Sequence, residues 1–89
     1  MATNEFTIDD LRQVLRAAAG EGDGVSLDSN ILDVPFADLG YDSLALLETG
    51  GRIERERGIE LADSTITDAE TPRALLASVN EQLGAAAVA

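Results

Sequence analysis

Residues 38–48 read Asp38-Leu39-Gly40-Tyr41-Asp42-Ser43-Leu44-Ala45-Leu46-Leu47-Glu48, and the pattern changes partway through them. Up to Tyr41 the segment is irregular and broken by Gly40. Beyond it apolar residues recur at helical spacing, so a helix starts at Asp42 or Ser43. Leu46, Gly50, Ile53 and Arg57 form one stripe of that helix, flanked by Leu47, Gly51 and Glu54, and Gly58 can stop it. A helix is therefore predicted over about 42–57. Ser43 falls at its N-terminus, where free backbone N–H groups and the macrodipole favour a phosphate. With no histidine and no cysteine in the chain, nothing here could make the Ser43 hydroxyl a good nucleophile. It reads as a place to be modified.

On the N-terminal side, Thr7 can cap a first helix with Asp10 as capping-box partner. Ile8, Leu11, Val14, Leu15 and Ala18 keep helical spacing, and Gly20 is a plausible stop, giving a helix over about 7–20. Residues 21–41 form a long connection with apolar anchors at Val25, Leu27, Ile31, Leu32, Val34, Phe36 and Leu39. Those anchors imply that it packs across the helices, with a short turn near 36–39; Pro35 extends Val34. On the C-terminal side, Ile59, Leu61 and Ile66 mark a chain crossing the core, with a short helix at about 62–68. Thr71-Pro72 is an N-cap followed by proline at N1, which opens a last helix over about 72–84. Leu75, Leu76, Val79 and Leu83 are its buried face, Gly84 its stop, and the tail 85–89 is expected to be disordered. The sum is one all-α domain, a bundle of three main helices plus a short fourth with a long first loop.

The Gly50-Gly51 pair is unusual, because each mid-helix glycine costs roughly 1 kcal/mol relative to alanine. Either the helix is soft there or another element approaches its backbone closely. Alanine at both positions is expected to raise the melting temperature, and no gain would point to close packing.

Composition narrows the chemistry. Seventeen acidic residues against six basic ones, all arginine, give a net charge of −11. Such a surface repels nucleic acid and suits partners with positive patches, although acidity also keeps a small domain soluble. Without histidine or cysteine, Ser-His-Asp and Cys-His sites and the usual zinc sites are excluded. Asp23-Gly24-Val25-Ser26 imitates an EF-hand loop, but Val25 and Leu27 stand where oxygen ligands are needed, so no metal site is expected. No apolar run approaches the roughly 20 residues of a membrane span, and the N-terminus lacks a signal-peptide pattern. The expectation is a cytoplasmic monomer that is not an enzyme.

Residues 38–48 resemble the phosphopantetheine attachment segment of acyl carrier proteins. Gly40-Tyr41-Asp42-Ser43-Leu44 is most similar to the discrete carriers of type II (aromatic) polyketide synthases. The resemblance covers most of the chain: first helix, long loop, second helix, short third helix, and Thr71-Pro72 opening the last. It implies that Ser43 accepts 4′-phosphopantetheine from coenzyme A through a separate phosphopantetheinyl transferase. Asp42 would assist that magnesium-dependent transfer, or simply cap the helix. Leu44 and Leu47 match apolar positions that touch partner enzymes beside the prosthetic group, with burial in the core as the alternative. Glu48 matches an acidic recognition position, or is an ordinary solvated carboxylate. The implied cargo is malonyl and growing polyketide thioesters. The implied partners are the transferase, an acyl-loading enzyme, a ketosynthase heterodimer, and a ketoreductase, cyclase and other tailoring enzymes.

Arg73, Leu76, Asn80 and Leu83 share one stripe of the last helix. The same polar types occur at matching positions in the aromatic polyketide carriers that this chain resembles. Arg73 and Asn80 could therefore hydrogen-bond polyketide oxygens, or Arg73 could lie along the surface while Asn80 bonds backbone. Gly50-Gly51 and Arg57 depart from the carrier pattern and are expected to thin the core near the acyl pocket. The alternatives are a carrier of fatty-acyl or aminoacyl cargo, or an acidic helical interaction module in which Ser43 is only a cap.

Overall fold

The structure is a computed structural model and describes residues 5–21, 24 and 26–88. Five helices follow one another: α1 (Ile8–Ala19), α2 (Phe36–Leu39), α3 (Ser43–Arg57), α4 (Asp63–Asp68) and α5 (Pro72–Val88). Local chemistry accounts for most of their ends. Thr7 and Asp10 close a reciprocal capping box on α1: the Thr7 hydroxyl accepts from the Asp10 amide at 3.2 Å, and Asp10 Oδ2 accepts from the Thr7 amide at 2.9 Å. Gly58 ends α3 in the left-handed conformation at φ 66°, a region that side chains with a Cβ seldom enter. The Thr71 hydroxyl accepts from the Ala74 amide at the start of α5.

The core is aliphatic. Leu11, Val14 and Leu15 of α1 meet Leu46 and Ile53 of α3, Ile66 of α4, and Leu75 and Val79 of α5 in one buried cluster. The long connection contributes Leu27, Ile31, Phe36 and Leu39 to it; Val25 lies outside the described residues. Arginines hold this connection down. Arg12 Nε donates to the Leu27 carbonyl at 2.7 Å, and Arg16 pairs with Glu21 and Asp28. The backbone of Gly24 lies so close to α2 that a Cβ there would fall 1.8 Å from the Asp38 carbonyl oxygen. Only glycine fits that contact.

The end of the chain differs from the sequence reading. Gly84 does not stop α5, which runs on to Val88 where a disordered tail was expected. Gly84 is exposed and is not among the positive-φ glycines Gly20, Gly40 and Gly58, so it makes no C-terminal cap. A mid-helix glycine costs only about 1 kcal/mol, and the alanines that follow are the best helix formers.

Gly50 and Gly51 also part company. A Cβ on Gly50 would stand 2.2 Å from Ile66 Cδ1, whereas one on Gly51 would meet only Arg55 Nη1, at 3.6 Å. The first glycine is a close helix contact, and the second has room for a methyl group beside Arg55. Arg57 does not thin the core beside Ser43, since it lies at the other end of α3. There its guanidinium stacks over the Phe6 ring at 5.0 Å and reaches Asp10 at 3.2 Å.

Candidate functional site

Two features of the sequence place Ser43. Tyr41 is buried, and its hydroxyl donates to the Gly20 carbonyl at 2.9 Å, which ties the segment before α3 to the end of α1. Asp42 is the N-cap, with Oδ1 accepting from the Ala45 amide at 2.8 Å. Ser43 is therefore the first helical residue and not the cap. Its side chain is exposed and, among the described residues, makes no hydrogen bond. Asp42 takes the Ala45 amide, which leaves the Ser43 and Leu44 amides as open donors at the positive end of α3. A phosphate attached to the Ser43 oxygen would meet these donors and the solvent, so the position fits an exposed phosphodiester.

Next to Ser43 is an open cleft of about 300 Å³ whose walls include Phe36, Tyr41, Leu46, Thr67 and Ala69. It lies between the start of α3, the segment carrying α2, and the end of α4. Leu44 does not line this cleft and is 64% exposed, so it is no part of the core. Leu47 is half-buried against the core, and Glu48 is exposed. Leu47 and Glu48 line a groove between α1 and α3 together with Ala17, Ala18, Gly51 and Arg55. Leu44, Leu47 and Glu48 thus share one side of α3, while the Ser43 cleft opens beside α4.

Arg73 and Asn80 are placed elsewhere, and neither lines the cleft. Arg73 forms a bidentate pair with Asp33, Nε to Oδ1 at 2.7 Å and Nη2 to Oδ2 at 3.0 Å, while its amide donates to the Leu32 carbonyl. Asn80 spends both ends of its amide on Phe6: Nδ2 donates to the Phe6 carbonyl at 3.0 Å, and Oδ1 accepts from the Phe6 amide at 2.7 Å. The two residues pin the long connection and the N-terminal segment to α5. Sequence reasoning placed Ile66 in the core but missed its seat on Gly50, and it missed Asp33 and Phe6 altogether, because the partners lie far away along the chain and leave no local signal. The loop ties of Arg12 and Arg16 were legible in principle, as two arginines at i and i+4 before an acidic connection.

The perturbed carboxylates are also remote from Ser43. The Thr7 amide, and behind it the Arg57 guanidinium, hold Asp10 below its ordinary value against partial burial. Arg73 does the same to Asp33. The arrangement around Ser43 contains no base positioned on its hydroxyl among the described residues. It can present a group but has no means of activating one.

Comparison with known proteins agrees with that geometry. The family described as the phosphopantetheine attachment site matches residues 9–79. The monensin polyketide synthase acyl carrier protein of Streptomyces virginiae is 57% identical over 89 residues, covering 100% of both chains. The granaticin polyketide synthase acyl carrier protein of Streptomyces violaceoruber is 57% identical over 75 residues, 84% of this chain and 88% of its own. Among solved structures, the 3,7-dioxo-octyl actinorhodin acyl carrier protein from Streptomyces coelicolor superposes with a TM-score of 0.85 at 45% identity. That match covers 92% of this chain and 95% of the other.

Proposed function

The chain belongs to the phosphopantetheine attachment site family, and from that premise we propose that Ser43 is the residue that carries the prosthetic group. The protein is a non-catalytic acyl carrier of the polyketide synthase type, and it works with synthase enzymes. Its cofactor is 4′-phosphopantetheine. One observation carries the assignment to Ser43: the serine is exposed at the first position of α3 while Asp42 does the capping. Loading forms a bond from Ser43 Oγ to phosphorus and breaks the pyrophosphate link of coenzyme A, whose adenosine half leaves. A separate transferase supplies the base and the magnesium ion. The attached thiol then holds malonyl and growing polyketide chains as thioesters, the sulfur chemistry that a chain without cysteine lacks.

Docking falls to the other side of α3. Leu44 offers an exposed apolar knob, and Leu47 and Glu48 continue the same face toward its middle. This face suits weak, charge-steered contacts that release quickly, as a shuttle requires. The transferase, an acyl-loading enzyme, a ketosynthase heterodimer, and ketoreductase and cyclase partners are the enzymes it would serve. A cytoplasmic working location belongs to the same proposal, because loading draws on coenzyme A.

Incubation with coenzyme A, magnesium and a broad-specificity transferase, followed by intact mass, tests the reading. The wild type is expected to gain one phosphopantetheinyl unit and Ser43→Ala none. A gain that survives Ser43→Ala, or no gain in the wild type, overturns it.

A further inference from the structure

Leu46, Gly50 and Ile53 follow each other along the buried stripe of α3, and α4 packs over them. At Gly50 the two helices meet without room for a methyl group. A Cβ there would lie 2.2 Å from Ile66 Cδ1, 2.8 Å from its Cγ1 and 3.3 Å from its Cγ2. Ile66 is 1% exposed, so its side chain is enclosed on its other sides as well. The fit is reciprocal: the side chain missing at 50 is replaced by a large branched one at 66. One turn toward the N-terminus of α3, the same pair of helices opens into the Ser43 cleft between Leu46, Thr67 and Ala69. On the α4 side the cleft wall ends in the small Ala69, whereas Ile66, which fills the seam below, is large.

We propose that Ile66, seated on Gly50, is a specificity-determining plug that ends the cargo space at the floor of the Ser43 cleft. It keeps a long saturated chain from sinking between α3 and α4. The proposal rests on Ser43 bearing the acyl arm. A saturated tail is stabilised by every methylene it buries, so an open seam would reward it. A polyketide has carbonyls along its length, and burying one without a hydrogen bond is unfavourable. Such a chain loses little by staying in a shallow, partly wet cleft. The closed seam removes the advantage of the saturated competitor and leaves the polar chain unpenalised, which is discrimination by exclusion.

Wild type and Ile66→Ala, each loaded at Ser43 with acetyl- or octanoyl-phosphopantetheine from the coenzyme A thioester, separate the outcomes by thermal melting. In the wild type the acetyl and octanoyl forms are expected to melt within about 2 °C of each other. Acetyl-loaded Ile66→Ala melts lower because truncation leaves an apolar cavity. Its octanoyl form should recover by roughly 5 °C or more as the chain fills that cavity. Ile66→Val, with a smaller void, should show a smaller recovery and serves if the alanine variant does not fold. A wild type stabilised by octanoyl as strongly as the variants, or variants that gain nothing from it, would overturn the plug. Failure of either thioester to load, seen by intact mass, sinks the Ser43 reading and the plug with it.

Discussion

At its Arg57 end α3 is tied to both Phe6 and Asp10, whereas at its Ser43 end the first side chains meet mostly solvent. Phe6 is 1% exposed, with the Arg57 guanidinium over its ring and the Asn80 amide closing both of its backbone groups. Asp10 receives both the Thr7 amide and Arg57. At the other end the backbone is held, by Asp42 as cap and by Tyr41 on the Gly20 carbonyl, but Ser43 and Leu44 are left outward. One end secures the bundle so that the other can hold a serine in place without enclosing it. A carrier needs that division, because its attachment site must enter other proteins.

Removing the anchor of the tied end should have the largest effect. Phe6→Ala deletes a buried ring and the surface under Arg57, at a cost of about 3–5 kcal/mol. For a chain of this size that is a fall in Tm of well over about 10 °C. Below the new Tm, transfer of phosphopantetheine to Ser43 should proceed at close to the wild-type rate. A folded variant that loads much more slowly would show that the two ends are not independent.

The adjacent glycines sharpen the contrast in the middle of the helix. Gly50→Ala gains helix propensity of about 1 kcal/mol but drives a methyl group into buried Ile66, and overpacking of this kind costs about 1–3 kcal/mol. A net loss of stability is expected. Gly51→Ala has the same propensity gain with only ordinary contact to Arg55, so Tm should rise by roughly 4–8 °C. Chemical denaturation of the two single variants reads the sign directly. Equal shifts in the same direction would mean that the α3–α4 seam yields to the added methyl.

What was legible in the sequence divides along the same line. Caps and stops are local, so Thr7 with Asp10, the glycines after α1 and α3, and Thr71-Pro72 could be read from neighbours a few residues away. The start of α3 was equally plain, because the change from an irregular segment to helical spacing is written within 38–48. Asn80 was not decidable. Its amide could have faced cargo or backbone, and the choice depends on where Phe6 runs, 74 residues earlier. Arg73 depends likewise on Asp33, 40 residues away. The two glycines look identical in sequence, and only the position of Ile66 on another helix distinguishes them. Gly84 misled for the opposite reason. A glycine can stop a helix or sit within one, and the alanines after it decided the outcome.

Acid should act on the tied end, with the smallest effect of the set. Asp10 is held below its ordinary value of 3.8, chiefly by the Thr7 amide, with Arg57 adding to it. The folded state therefore binds this proton more weakly than the unfolded chain does. The resulting stability is complete above the ordinary value and is lost as the pH falls through the lowered one. Asp33, lowered by Arg73, follows the same sign at the α5 contact. Acidification also relieves repulsion in a chain of net charge −11, so the total slope mixes opposing contributions. Comparing the wild type with Asp10→Asn cancels that background, since asparagine keeps a capping oxygen but does not titrate. Melting curves from about pH 6 to about pH 3 should show the wild-type advantage shrinking at the acid end. If the gap between the two proteins stays constant across that range, the Asp10 carboxylate contributes nothing as a charge, and the tie at the Arg57 end rests on Phe6 and Asn80 alone.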